Sequence, residues 1–163
     1  LNRKTDDLYM KRALLLLSLG IASLFISCGK QDKGCTPKTP ASEKDAMVAY
    51  CNANGITYTE HASGILYEII NPGAGIRPAI NNLVYAVYTG KLLDGTVFDA
   101  PPYTVEFPLN GVIEGWKIAI PLIQKGGRIK MVIPSALAYS CTGSRTIPPD
   151  SPLFFDVTLT DVK

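Results

Sequence analysis

The side chains that most enzymes use for acid–base or nucleophilic chemistry are scarce in this sequence. Its 163 residues include one histidine, His61, and four cysteines, Cys28, Cys35, Cys51 and Cys141. One imidazole excludes most histidine-based schemes, and no Ser or Cys has a general base at a recognisable spacing. The cysteines and His61 also lack the spacing of a zinc site, so we expect no metal. Any chemistry is therefore expected to come from a pocket and not from a reactive group.

A set of aromatic and branched residues could line such a pocket. Residues 111–121 contain the only tryptophan, Trp116, at the start of a short apolar run. A tryptophan buries a large area and suits an apolar pocket floor, although Trp116 taken alone fits an ordinary core residue better. The other residues of this set, with Asp99 as the one charge among them, are Tyr88, Phe98, Val112, Ile113, Tyr139, Ile147 and Phe155. A pocket lined in this way selects a small apolar group and removes water from it.

The hydrophobic pattern predicts that a β-rich domain positions these residues. Apolar residues alternate with polar ones in residues 64–70, 82–93, 96–98, 103–107, 128–133 and 153–162, most of which we interpret as strands. Asp94-Gly95 is the strongest hairpin signal in the chain. The helix that carries Trp116 is expected to be short, because Pro121 cannot donate to the carbonyl of Lys117. Four or five antiparallel strands and one short internal helix predict an α+β domain.

The N-terminal residues 1–27 have the pattern of an export signal. A basic start at Met10-Lys11-Arg12 precedes about fifteen apolar residues, fewer than the roughly 20 of a membrane-spanning helix. We interpret residues 1–9 as an extension upstream of the true start at Met10. Phe25-Ile26-Ser27-Cys28 resembles the bacterial lipobox, which implies cleavage before Cys28 and acylation of its thiol. We therefore expect a lipoprotein of the cell envelope, at the periplasmic face or the outer membrane; a plain signal peptide and an uncleaved anchor are the alternatives.

The charge balance argues against a nucleic-acid partner. Of the 16 basic and 14 acidic residues, four and two lie in residues 1–27, so the remainder carries 12 of each. A balanced protein has no basic field that would collect phosphate groups. Nucleic acid is therefore not expected to bind.

Between the signal and the β-rich domain, the sequence predicts a tether and a helix. Residues 28–41 are rich in Lys, Gly, Pro and Thr and are expected to form a flexible tether. Residues 42–63 are expected to form a helix and a linker, because Ser42 and Asp45 resemble a capping box and Gly55 provides a left-handed stop. One face of this helix, which should pack on the flank of the domain, contains Met47, Tyr50 and Cys51.

The remaining cysteines allow one disulfide in an oxidising compartment. Acylation of Cys28 would leave Cys35, Cys51 and Cys141. Cys35 and Cys51 are the nearer pair in the sequence. Spacing alone does not settle which two of these three cysteines form a disulfide.

Several short segments together resemble the FKBP-type peptidyl-prolyl isomerases, in the order and close to the spacing of that family. They are Tyr88-Thr89-Gly90, Leu93-Asp94-Gly95, Val97-Phe98-Asp99, Val112-Ile113-Glu114-Gly115-Trp116, Lys125-Gly126-Gly127, Leu137-Ala138-Tyr139, Ile147-Pro148-Pro149 and Leu153-Phe154-Phe155-Asp156-Val157. The resemblance covers residues 64–163, with its core in residues 80–163, and is closest to the exported, lipidated members of Gram-negative bacteria. It implies a curved antiparallel half-barrel sheet wrapped around one short helix, with a proline site between them.

The resemblance also assigns roles to residues. Trp116 would be the floor beneath the substrate proline, the Ile113 N–H and the Tyr139 hydroxyl would donate to substrate carbonyls, and Asp99 would lie beside the twisting amide. The walls would be formed by Tyr88, Phe98, Val105, Val112, Ile147 and Phe155. The sequence departs from the family pattern in three ways: no Arg lies between Asp99 and Phe107, Val105 replaces an aromatic wall residue, and Ser140-Cys141 replaces a Gly-containing turn.

The implied function is peptidyl-prolyl cis–trans isomerisation without a cofactor, assisting the folding of proline-containing exported proteins. The alternative is a non-catalytic chaperone that holds peptides in the same groove. Macrolide inhibitors of the family would bind there. Nothing in the sequence indicates a long dimerising helix, so we expect a monomer.

Overall fold

A computed structural model describes residues 34–163 of the chain. Within that range the helices and strands are α1 (Pro40–Ala53), β1 (Thr59–Glu60), β2 (Leu66–Asn71), β3 (Leu83–Leu92), β4 (Val97–Asp99), β5 (Val105–Pro108), α2 (Glu114–Ala119), β6 (Arg128–Ile133) and β7 (Leu153–Val162). Short 3-10 turns occupy Leu109–Gly111, Ile120–Leu122, Ser135–Leu137 and Ser140–Thr142. The predicted export signal, the predicted start at Met10 and the predicted acylation site Cys28 lie outside the described residues.

The strands form one antiparallel sheet in the order β1-β2-β6-β7-β3-β4, and β5 also pairs with β3. The longest pairing joins β3 to β7, from Val84 opposite Val162 to Leu92 opposite Leu153. The sheet of residues 34–163 thus has seven strands, more than the four or five that we expected. Six of the strands overlap the alternating segments of the sequence, and the seventh, β1, has only two residues, both exposed, so it has no alternation to detect.

Each face of the sheet is covered by a different helix. One face packs on α2 and forms the main apolar core, whose central buried residues include Ile129, Met131, Val157 and Leu159. The other face contributes Leu66, Val132 and Phe154 to a smaller core beneath α1, with Met47, Tyr50 and Cys51 from that helix. The predicted curved sheet around one short helix, with a small N-terminal helix, is therefore confirmed.

Helix α1 begins two residues earlier than predicted. Thr39 is its N-cap, and the Thr39 Oγ1 accepts a hydrogen bond from the Ser42 N–H at 3.3 Å. Pro40 occupies the first turn, where a missing N–H is harmless and a fixed φ is already helical. The capping box at Ser42 was therefore wrong, because the Thr-Pro pair that precedes it caps the helix. Gly55 adopts a φ of 62°, which agrees with the predicted stop.

Helix α2 is brief, as Pro121 predicts. It spans six residues and passes into a 3-10 turn that contains Pro121. Gly115 lets it lie close to the sheet, because a Cβ at that position would be 2.4 Å from the Cγ2 of Ile133. In the described part of the chain, neither helix combines the length and apolar character that crossing a membrane requires.

The disulfide joins Cys35 to Cys141, which corrects the pairing suggested by sequence distance. Their Cα atoms are 5.4 Å apart although 106 residues separate them in the sequence. Cys51 is free and lies on the buried face of α1, where it is 0% exposed. Burial, and secondarily the charge of Glu68, raises the pKa of the Cys51 thiol to about 11.

Candidate active site

A pocket of about 340 Å³ opens between α2 and the sheet. Its wall is drawn from β3, β4, β5, β7, the turn before α2 and the loop after β6. The lining residues are Tyr88, Phe98, Asp99, Phe107, Gly111, Val112, Ile113, Trp116, Tyr139 and Phe155. The wall contains aromatic and branched side chains, two phenols and one carboxylate, and no thiol, imidazole or amine.

Trp116 lies at the centre of the aromatic cluster and is 4% exposed. Its ring meets the rings of Tyr88, Phe107 and Phe155 nearly edge-on, at centroid distances of 5.2, 5.6 and 5.3 Å. Such perpendicular contacts are favourable because ring edges are positive and ring faces negative. The Trp116 Nε1 is buried and has no hydrogen-bond partner within residues 34–163. The tryptophan therefore forms a rigid surface with one unsatisfied donor.

Tyr88 and Asp99 connect the buried cluster to the rim of the pocket. The Tyr88 hydroxyl donates a hydrogen bond to the Asp99 Oδ2, and the Asp99 residue is exposed. Burial, and then the hydrogen bond to Asp99, raises the pKa of Tyr88 well above its usual range. Tyr88 consequently remains a neutral donor at any physiological pH. No Lys or Arg of the described range forms an ion pair with Asp99.

Gly90 makes room for the aromatic wall beside Asp99. It lies opposite Asp99 in β4 and opposite Phe155 in β7. A Cβ on Gly90 would be 2.6 Å from two ring carbons of Phe98 and 3.0 Å from Phe155. The Phe98 and Phe155 rings, 5.5 Å apart, thus pack across a strand position that no side chain could occupy.

The rim before α2 has the extended backbone that its β-branched residues predict. Val112 has φ −93° and ψ 175°, and Ile113 has φ −60° and ψ 151°. Ile113 is the N-cap of α2, and its carbonyl accepts from the Trp116 N–H at 3.0 Å. That the Ile113 N–H donates to a substrate remains a prediction.

Eight of the ten residues predicted for the site line this pocket. They are Tyr88, Phe98, Asp99, Val112, Ile113, Trp116, Tyr139 and Phe155. Val105 and Ile147 do not line it: Val105 packs against the main core from β5, and Ile147 is 7% exposed within that core. Neither residue therefore lines the pocket in this structure, and a contact of either one with the substrate remains a prediction.

Phe107 and Gly111 line the pocket without having been predicted to do so. Phe107 lies two residues beyond Val105 on β5, on the same inward-facing side. Its ring packs edge-on against the Trp116 ring, at a centroid distance of 5.6 Å. The alternation of β5 was the signal that could have identified Phe107.

The chain matches known proteins over this same region. The family model described as FKBP-type peptidyl-prolyl cis-trans isomerase matches residues 75–160. The protein named FKBP-type peptidyl-prolyl cis-trans isomerase FkpA of Escherichia coli strain K12 is 44% identical over 106 residues, which are 63% of this chain and 39% of that protein. The Macrophage infectivity potentiator of Trypanosoma cruzi is 36% identical over an alignment of 175 residues, covering 97% of this chain and 86% of that protein.

A solved structure shows the same fold. The crystal structure of FkpA from Escherichia coli superposes with a TM-score of 0.69 at 38% identity, over 77% of this chain and 59% of that one. The chain thus spans about two fifths of the length of the FkpA relative in the sequence comparison.

Proposed function

The chain belongs to the FKBP-type peptidyl-prolyl cis-trans isomerase family, and from that membership we propose that it isomerises X–Pro bonds in exported proteins during their folding. The single observation that supports the proposal is the buried Trp116 surface beneath an apolar pocket of about 340 Å³. A pocket of that size and polarity accepts a proline ring and removes water from the adjoining amide.

The physical basis is the electronic structure of the peptide bond. Resonance makes rotation cost about 18–20 kcal/mol, so uncatalysed X–Pro isomerisation takes tens of seconds or longer. A twisted amide has lost that resonance and carries less charge on its oxygen. An apolar wall therefore binds the twisted form better than the planar ground state, and this difference lowers the barrier. About 6–8 kcal/mol of preference corresponds to roughly five decades in rate.

No covalent step is needed in this mechanism. Trp116 supports the proline ring, while Tyr88 and Asp99 form the polar side of the pocket next to the amide. The Ile113 N–H and the Tyr139 hydroxyl would hold carbonyls of the bound peptide and so orient the bond that rotates. Macrolide inhibitors of the family would occupy the same surface.

A non-catalytic chaperone is the second candidate, and one observation favours it. Asp99 has no cationic partner among residues 34–163. A protease-coupled assay on a proline-containing peptide separates the two functions. We expect a rate well above the uncatalysed one; peptide binding with no acceleration would establish the chaperone instead.

We further propose that the protein works as a monomeric, lipid-anchored member of the bacterial cell envelope. The supporting observation is the Phe25-Ile26-Ser27-Cys28 sequence after a basic and apolar start. Acylation of Cys28 would hold the domain at a membrane surface through the intervening tether, where newly exported chains emerge.

A further inference from the structure

The loop that carries Tyr139 to the pocket is held from outside by the N-terminal segment at two places. The first contact involves Glu43 of α1. The Glu43 Oε2 accepts a hydrogen bond from the Ser135 N–H at 2.8 Å, and the two residues are 5% and 0% exposed. The carboxylate therefore holds the start of the 3-10 turn Ser135–Leu137, four residues before Tyr139.

The second contact is the disulfide between Cys35 and Cys141. Cys35 precedes α1, and Cys141 lies in the 3-10 turn Ser140–Thr142, two residues after Tyr139. Tyr139 thus lies between two attachment points, Ser135 and Cys141, whose partners Glu43 and Cys35 both belong to the segment that precedes the sheet.

Hydrogen bonds inside the loop connect the attachment points to Tyr139 itself. The Tyr139 carbonyl accepts from the Thr142 Oγ1 at 2.7 Å and from the Gly143 N–H at 3.1 Å. On the other side, the Ala138 N–H donates to the Ser135 carbonyl at 2.9 Å. A displacement of residue 135 or 141 would therefore be passed to the backbone of Tyr139.

The packing of α1 on the sheet does not by itself explain why a glutamate is buried at position 43. The helix already buries Met47, Tyr50 and Cys51 against the sheet. A buried carboxylate is costly, and an apolar residue of similar size often stabilises a fold more. Within residues 34–163, the Glu43 Oε1 and the Ser135 Oγ have no hydrogen-bond partner, so this contact is poorly optimised for stability. Its directional bond to a loop backbone is suited to fixing a position.

We propose that Glu43 and the Cys35–Cys141 disulfide are positioning residues that hold the Tyr139 hydroxyl where it meets the substrate. The inference rests on the proposed isomerase function. It adds that residues 35–43, which lie outside the pocket, contribute to that activity. The N-terminal segment is in this account a component of the active site, acting through Tyr139.

The test is a double-mutant comparison on the full chain, with kcat and KM measured on a proline-containing peptide. Cys35→Ser/Cys141→Ser and Glu43→Ala are each made in the natural background and in Tyr139→Phe. We expect each to lower kcat/KM about five- to tenfold in the natural background and less than about twofold when the Tyr139 hydroxyl is absent. Glu43→Gln, which keeps an acceptor for the Ser135 N–H, should restore most of the activity.

A matched control uses the same helix. Glu60→Gln breaks the exposed Lys44–Glu60 ion pair, which ties α1 to β1 and not to the Tyr139 loop; it should leave kcat/KM unchanged. If the Cys35→Ser/Cys141→Ser or the Glu43→Ala variant does not fold, kcat/KM is measured instead after treatment with a dithiol reductant. The reductant converts the Cys35–Cys141 disulfide of the natural chain and of Tyr139→Phe to two thiols while itself becoming a cyclic disulfide.

The outcomes are distinguishable. Equal losses in both backgrounds, or no loss in either, would overturn the positioning role. A natural chain that binds the peptide but does not accelerate isomerisation would overturn the proposed enzyme function, and the inference with it.

Discussion

The backbone of Gly90 approaches the ring of Phe98 so closely that a Cβ at position 90 would be 2.6 Å from two of its carbons. A separation under 3 Å forces a shift, and here the atoms that must move belong to a stiff aromatic side chain. Gly90→Ala should therefore displace the Phe98 ring into the pocket and reduce kcat/KM by about tenfold or more. Since Gly90 has an ordinary φ, the loss should come from crowding and not from backbone strain.

The matched control for that prediction is Gly34→Ala, because among residues 34–163 no atom beyond its chain neighbours lies within 4 Å of a Cβ built at Gly34. It should behave as the natural protein does. An active Gly90→Ala variant with undiminished peptide affinity would show that Phe98 is not part of the binding wall.

Tyr88 and Asp99 should be coupled energetically through the hydrogen bond between their side chains. Removing its donor in Tyr88→Phe, or weakening its acceptor in Asp99→Asn, should each reduce kcat/KM several-fold. The double variant should lose less than the two single losses combined, because both remove one interaction, with a coupling free energy of about 0.5–3 kcal/mol. Independent, additive losses would show that Tyr88 does not act through Asp99.

Alkaline pH should destabilise the protein partly through Cys51. Burial raises the pKa of that thiol from 9.0 to about 11, so the folded state favours the protonated form. Its contribution to the free energy of unfolding is complete below pH 9 and is lost as the pH rises from 9 toward 11. The loss is on the order of 2 kcal/mol.

Denaturant titrations at pH 8, 9, 10 and 11 would measure this effect. Cys51→Ala should start with lower stability because it leaves a cavity, but it should lose less on going from pH 9 to 11. Identical pH slopes for the two proteins would mean that Cys51 does not titrate differently in the folded state.

Membrane attachment should depend on the thiol of Cys28. Cys28→Ser removes the proposed acylation site and should move the protein from the membrane pellet to the soluble fraction of the cell envelope. Cys51→Ala, which changes a buried thiol, is the control and should still pellet. A Cys28→Ser protein that remains with the lipid would contradict the lipobox interpretation.

The sequence predicted best where a strand alternates over its whole length. The bounds of β6 and β7 agree with the predicted residues 128–133 and 153–162, because one face of each is apolar and the other is mainly polar, apart from Val132 and Phe154 beneath α1. The two-residue β1 gave no such signal, and the start of α1 was missed because Thr39-Pro40 was read as part of a flexible tether.

The differences between the predicted and the observed site arise because distances between residues far apart in the sequence are determined only by the fold. Phe107 and Val105 lie on the same side of β5, and only the folded chain shows that Phe107 is the one that lines the pocket and packs on Trp116. Likewise, Cys141 approaches Cys35 through the packing of α1 against the sheet, which proximity in sequence cannot indicate. The central aromatic cluster was predictable because its residues occur in motifs that resemble a known family.

The account depends most on Trp116 as the surface that supports the twisted bond. The most direct test is exchange spectroscopy by NMR on a peptide with one X–Pro bond, with the natural chain, Trp116→Phe and Trp116→Leu each present in catalytic amounts. Thermal unfolding of each protein controls for loss of the fold. We predict fast cis–trans exchange with the natural chain, a partial loss with Phe, and at least a tenfold loss with Leu while unfolding stays cooperative. Equal exchange rates for all three proteins would contradict the account.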